Sequence, residues 1–345
     1  MNADWKNFLT GAGAVFDQDL VAHFGNPVRE LKVTTTGSVI APLSHYGIAT
    51  VSGDDAESFL QGQLTNDVSM VSAARSQLSG YCNPQGRLLA LLRLFRQDGR
   101  IVATMSSSLL DETIKRLRMF VLISKVTLED SSDALIGIGL SGRQSHEQLA
   151  ALFESVPEAV DDCVHHDSLT LVRIAGAQPR FEIFGPADRI IPLWGKLDVH
   201  AAPVGYGSWQ YLDILAGLPQ ITRATSGQFI PQMLNLQLLN GLSFKKGCYT
   251  GQEIIARLHY RGKLKRRLYR THIDLDDAPR PGDNLYADNE QAVGNIISAQ
   301  PAADGGCECL AVVVIENAVN DQVHLNDAGG PCLQFRPLPY PVEDQ

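Results

Sequence analysis

The chain has 345 residues, 44% hydrophobic and 19% charged, with a formal net charge of −9. These proportions describe a globular protein of roughly two to three domains and exclude a largely disordered one. No apolar run approaches the roughly 20 residues that span a bilayer, and the segment from Met1 to Phe16 lacks the basic start and long apolar core of an export signal. A cytoplasmic protein with no membrane partner is expected.

The first twenty residues predict a short amphipathic helix with Trp5, Phe8, Leu9 and Phe16 on its apolar side. Residues 48–53 read as a strand ending in a turn, and Asp54 and Asp55 offer caps for a helix carrying Phe59, Leu60 and Leu64. A strand at 77–82, a turn at Asn83-Pro84-Gln85-Gly86 and a long apolar strand at 88–95 follow. Asp98-Gly99 predicts a tight hairpin into a strand at 101–105. A helix at 108–121 and a strand at 125–129 complete this run. The order then recurs: a strand at 134–140, a helix at 145–153, strands at 169–174 and 180–184, and a helix at 187–197. The fold class is therefore α+β, with two similar split β-α-β subdomains at about 1–130 and 131–262. After Gly262 short apolar runs alternate with Gly, Pro, Asp and Asn, which predicts a small β-barrel over 263–345.

Gly137-Ile-Gly139-Leu-Ser-Gly142 matches the G-x-G-x-x-G dinucleotide pattern. That fingerprint needs a complete strand before its first glycine. Only Ala134-Leu-Ile precedes Gly137, so these glycines read as strand residues. The six cysteines include no C-x-x-C pair, and Cys307-x-Cys309 has no second ligand pair at metal spacing. No metal-binding motif is present.

Chemistry concentrates in Lys245–Arg270, which holds nine Lys or Arg and one acid, Glu253. The segment carries +8 and the remainder −17, so an anionic ligand or partner is expected at this place; the alternative is a solvated cationic hairpin. Thr250-x-x-Glu253 before an apolar run is a capping box that predicts a helix from about Gly251 through Arg257. Cys248 would lie two residues before the cap, where the helix terminus, Lys245 and Lys246 all favour thiolate. Gly247 and Gly251 clear space around it. A structural cysteine in a tight turn is the competing reading.

Lys246-Gly-Cys-Tyr-Thr-Gly-Gln-Glu253 resembles the K-G-C-[FY]-[TI]-G-Q-E signature of the YgfZ family, folate-binding proteins associated with tRNA modification. The resemblance extends through Gln61-Gly-Gln-Leu-Thr-Asn-Asp67, Leu92-Arg-Leu-Phe-Arg96, Ser226-Gly-Gln-Phe-Ile-Pro-Gln232, Asn235-Leu-Gln237, Ala256-Arg257, Arg261-Gly262 and Pro337-Leu-Pro-Tyr340. It implies a fold like the T-protein (aminomethyltransferase) of the glycine cleavage system: a ring-like body at 1–262 with a folate site and a C-terminal barrel at 263–345. It further implies binding of tetrahydrofolate or a derivative and a role in iron–sulfur cluster assembly or repair. Iron–sulfur enzymes or assembly proteins are the implied partners, and tRNA methylthiolation the affected process. Its site residues fall at Cys248 and Lys246 for chemistry and at Tyr46, Trp209, Gln63 and Arg257 for folate. The basic segment would hold the folate glutamate tail.

Two departures stand out. The T-protein's catalytic carboxylate would fall at Ala90, which cannot accept a proton, so whether this chain is an enzyme is left open. Leu215 replaces a family glutamate, removing a hydrogen-bonding partner for a pterin. A folate-dependent one-carbon transferase and a tRNA-binding factor acting through residues 245–270 are the alternative functions.

Overall fold

A computed structural model describes residues 1–320 and 322–342. The chain forms two compact units. The first comprises Met1–Leu60, Val68–Gln77 and Leu92–Leu212; the second comprises Gln61–Asp67, Leu78–Leu91 and Asp213–Gln345.

Both repeated layers fall largely in the first unit, and each shows the same pairing logic. In the first layer, strand Tyr46–Ser52 pairs antiparallel with Arg100–Ser106 and with Thr127–Asp130. Arg100–Ser106 pairs in turn with Leu88–Gln97. The intervening turn has Asp98 at φ 50° and Gly99 at φ 75°, the left-handed pair that a two-residue hairpin requires. In the second layer, Ile136–Ser141 pairs with Arg180–Gly185, which pairs with Leu169–Ile174. Helices Ala56–Gln61, Leu110–Arg118, Ser145–Ala150 and Ala187–Leu197 connect the strands. One strand breaks the symmetry. Val39–Pro42 is inserted between Ile136–Ser141 and the short parallel strand Ala202–Pro203.

The glycine pattern of the second layer is a packing device. Along Ile136–Ser141 the isoleucines join a core of Trp5, Leu9, Ile190 and Trp194, while alternate positions face the other way. A Cβ at Gly137 would meet the Phe184 ring at 2.9 Å, and one at Gly139 the Trp209 indole at 2.5 Å. The glycines make room for two aromatic rings and bind no phosphate loop, as their position within a strand requires. That second face contributes to a core where Phe95 stacks on Phe184 at 4.8 Å, alongside Val102, Val172 and Ile174.

The N-terminal helix is shorter than its sequence predicts. It spans Ala3–Gly11, with the Asn2 side chain accepting from the Trp5 amide, and buries Trp5 and Leu9. Phe16 instead belongs to a hairpin formed by Val15–Asp17 and Leu20–His23, because Gly11 and Gly13 end the helix first. Helix Pro27–Thr36 carries no strong apolar stripe, and its Asn26 cap is the only clear sequence mark of it.

In the second unit, six antiparallel strands curl into a half-barrel. Their order is Val323–Leu325, Asn284–Ala287, Ala292–Pro301, Cys307–Val314, Arg266–Ile273 and Gln334–Arg336. Cys307 and Cys309 alternate into its core with Ile273, Val293, Ile296 and Val313. Strand Cys307–Val314 runs directly into helix Ile315–Asn320. Two of the motifs serve as anchors here. The Tyr340 hydroxyl donates to the Gly217 carbonyl (2.9 Å), and Asn235 Nδ2 donates to the Leu268 carbonyl (3.1 Å).

Candidate functional site

The Lys246–Glu253 loop lies in the second unit, held at both ends. At its far end, Gly251 adopts φ 83° as the N-cap of helix Gln252–Arg261. A Cβ there would meet the Asn83 carbonyl oxygen at 2.4 Å and the Gly86 backbone at 2.8 Å, so the Asn83–Gly86 turn presses directly on it. This corrects the capping-box prediction. The helix starts at Gln252, no side chain caps it, and Thr250 lies outside it. Close backbone approach has overridden a local signal, and Cys248 stands three residues before the cap instead of two.

At its near end, the Lys246 Nζ donates to the carbonyl oxygens of Gln61, Leu64 and Asn66 at 2.7, 2.6 and 2.8 Å. Its ammonium also lies 5.1 Å from the Tyr249 ring centre. Burial lowers the pKa of this amine to about 8, with Asp67 acting in the opposite sense. Three carbonyls match the three protons of an ammonium, so the charged form satisfies the cage. The caged loop is further tied down by Asn66 Nδ2 to the Leu78 and Asn240 carbonyls and by Thr65 Oγ1 to the Gly241 carbonyl. Lys246 is thus a clamp between the Gln61–Asp67 motif and the cysteine loop.

Between these fixed ends, Cys248 is exposed and Gly247 has open space where a side chain would be. Cys82, by contrast, is buried with its pKa raised by desolvation. Gln63, in the caged loop, has a buried amide oxygen with no hydrogen-bond partner among the described residues. Arg257 is exposed on the helix.

The other two expected folate residues are in the first unit. Tyr46 is half-buried, donates to Glu182 Oε1 at 3.1 Å, and lines a cavity of about 540 Å³ whose polar rim includes Asn2, Gln18, Ser44 and Asp130. Trp209 is fully buried. The Arg180 guanidinium sits 4.4 Å from its ring centre and Gly139 abuts its edge, so the indole offers no free face for stacking in this structure. Trp209 holds Arg180 in place instead.

The sequence reading missed the polar cluster around these residues. Arg93 Nη1 donates to Asp161 Oδ1 at 2.7 Å and to Ser76 Oγ at 3.2 Å, while its Nε lies 3.9 Å from Glu182. Arg93, Asp161 and Glu182 are all buried. The available signal was a charged residue inside an apolar strand, as in Leu92-Arg-Leu-Phe and Phe181-Glu-Ile-Phe.

His45, 5% exposed, packs against Tyr46 with ring centres 4.2 Å apart and planes tilted by 49°, and neither ring nitrogen has a hydrogen-bond partner among the described residues. Burial, aided by the Arg180 charge, lowers its pKa to about 3. The unfolded chain, with a histidine near 6.5, therefore binds the extra proton between these values, and stability falls as pH drops through that window. We expect His45→Phe to reduce the loss of unfolding free energy between pH 7.5 and 4.5 by about 2.5 kcal/mol. Urea titrations of both proteins at the two pH values check this.

Ala90, where the resemblance would place the T-protein carboxylate, is fully buried on strand Leu88–Gln97. Leu215, where the resemblance would place a family glutamate, ends helix Tyr206–Leu215, with buried Asp213 two residues earlier. Among the described residues, no three His, Cys, Asp or Glu side chains come together to hold a metal ion. No helix among them is long and apolar enough to cross a membrane.

The two split β-α-β layers have a GCVT-domain architecture, and the half-barrel follows it in the chain. Residues 15–241 match the GCVT N-terminal domain family. The glycine cleavage system aminomethyltransferase T from Bartonella henselae has the same fold: TM-score 0.77 over 98% of this chain and 97% of that one, at 17% identity. Sequence relatives are more specific. The tRNA-modifying protein YgfZ of Klebsiella pneumoniae (strain 342) is 37% identical over 308 residues, covering 88% of this chain and 93% of that protein. Its namesake in Sodalis glossinidius (strain morsitans) is 34% identical over 303 residues, covering 87% and 92%. The chain belongs to the YgfZ family.

Proposed function

We propose that this protein supports tRNA modification in the cytoplasm as a folate-binding accessory to iron–sulfur enzymes or their assembly proteins, with Cys248 as the group presented to the partner. The observation that carries the reading is the loop itself: an exposed thiol held between a triply bonded lysine and a glycine locked against a turn. An inert structural cysteine needs no such exposure, and this chain buries Cys82, Cys163, Cys307 and Cys309. The names of the relatives supply the process.

The residues present fit a folate in several respects. The orphaned Gln63 oxygen is an acceptor suited to the N–H groups of a pterin. Arg257, in the same unit as Gln63, offers an exposed cation suited to a glutamate tail. Bound tetrahydrofolate supplies a one-carbon carrier. With a buried methyl group at Ala90, aminomethyl transfer by the T-protein route is not part of the proposal.

In cells relying on this chain alone, Cys248→Ser should lower methylthiolated tRNA nucleosides severalfold by mass spectrometry, whereas Cys332→Ser, the other exposed cysteine, should not. Unchanged nucleosides in the Cys248 variant would remove the cysteine from the proposal. Anaerobic calorimetry should show saturable tetrahydrofolate binding, weakened about tenfold by Gln63→Leu through loss of one hydrogen bond. Absence of saturation would remove the folate.

A further inference from the structure

We propose that the surface at the C-terminal end of helix Gln252–Arg261 binds unpaired RNA, with Tyr260 and His259 as a stacking platform and the surrounding lysines and arginines as phosphate contacts. The inference rests on the tRNA-modification reading and names the molecule met at this place.

The platform is built from neighbouring rings. Phe244 stacks on His259 with centroids 3.7 Å apart and planes 11° from parallel. Tyr260 stands edge-on to both, 4.7 Å from His259 and 6.3 Å from Phe244. Tyr260 is 68% exposed and His259 is exposed as well, while Phe244, stacked on His259, is half-buried. Aromatic rings in such a position are suited to a planar partner.

The charges around it are unneutralised. Lys245, Arg261, Lys263 and Lys265 are all exposed, and among the described residues none makes an ion pair. Elsewhere on this acidic protein some exposed cations, such as Lys6, Lys115 and Arg189, are paired with a carboxylate and others, such as Arg29, Arg100 and Arg143, are not; what sets this segment apart is that its unpaired cations fall close together between Lys245 and Lys265. A local excess of free cations beside exposed rings fits a phosphate backbone carrying accessible bases. A duplex hides its bases; unpaired RNA offers the cations a phosphate backbone and the exposed Tyr260 ring a base at the same place. The negative charge of the rest of the chain confines the contact to a short segment.

Fluorescence anisotropy with the full-length protein tests this, using a short unstructured RNA, a hairpin with an open loop and a blunt RNA duplex. The single strand and the hairpin should bind at low salt, and the duplex about tenfold more weakly. Tyr260→Ala should weaken loop binding about tenfold and Tyr260→Phe should restore it. Lys263→Gln and Lys265→Gln should each lower the slope of log affinity against log salt by about 0.7. Because these side chains are exposed, unchanged thermal melting verifies the fold of each variant. No binding at low salt, or equal binding of duplex that ignores Tyr260→Ala, overturns the proposal. If RNA binding fails while Cys248→Ser still abolishes tRNA modification, this surface is excluded and the functional reading stands. RNA binding in a protein whose Cys248 is dispensable supports the surface and removes the thiol.

Discussion

Arg93→Met should cost about 3–5 kcal/mol of unfolding free energy, because it leaves two buried carboxylates facing a vacated cation site. Arg93 lies 2.7 Å from Asp161 and 3.9 Å from Glu182. All three are buried, so solvent cannot replace the lost charge. The added substitution Asp161→Asn should recover more than about 1 kcal/mol by removing one stranded charge. Asparagine also tolerates the left-handed backbone at this residue, φ 72°. Urea unfolding of both variants measures the effect. A single variant costing less than about 1 kcal/mol would mean that the arginine contributes geometry alone.

Lys246→Met should destabilise the second unit by about 2–4 kcal/mol, since three backbone carbonyls lose their donor together. The damage should be local and visible as faster amide exchange over residues 61–67. Lys246→Arg should not restore the cage, because a planar guanidinium cannot direct protons at three converging carbonyls as an ammonium does. The same variants should lower tRNA modification although Cys248 is intact. Slow exchange over 61–67 in Lys246→Met would show that the clamp is not what orders the loop.

These two expectations come from opposite ends of what the sequence discloses. The repeated layers were legible because predominantly apolar runs such as Leu88–Gln97 and Leu169–Ile174 end at strong turns. The Gly137–Gly142 run could be read as strand, but not why it needed glycine; the answer is two rings, Phe184 and Trp209, from distant segments. Thr250 misled because a capping box is a local pattern, and the turn that fixes Gly251 lies far away in sequence. Helix Pro27–Thr36 escaped for want of an apolar stripe. Cys248 and Lys246 stood out through an unusual motif, whereas Arg93, Asp161 and Glu182 form a group only once the chain has folded.

The cage around Lys246 also sets a timetable. Its acceptor at Asn66 leaves the ribosome 180 residues before the lysine does. At typical synthesis rates of about 5–20 residues per second, that is a wait of roughly 10–40 s. Throughout it, Gln61–Asp67 and Leu78–Leu91, both members of the second unit, hang between segments that can already fold. No single cut of the gene separates one unit cleanly from the other. A nascent chain stalled after Leu212 would hold every piece of the first unit, yet would carry two orphaned strips of the second that chaperones or proteases would find first.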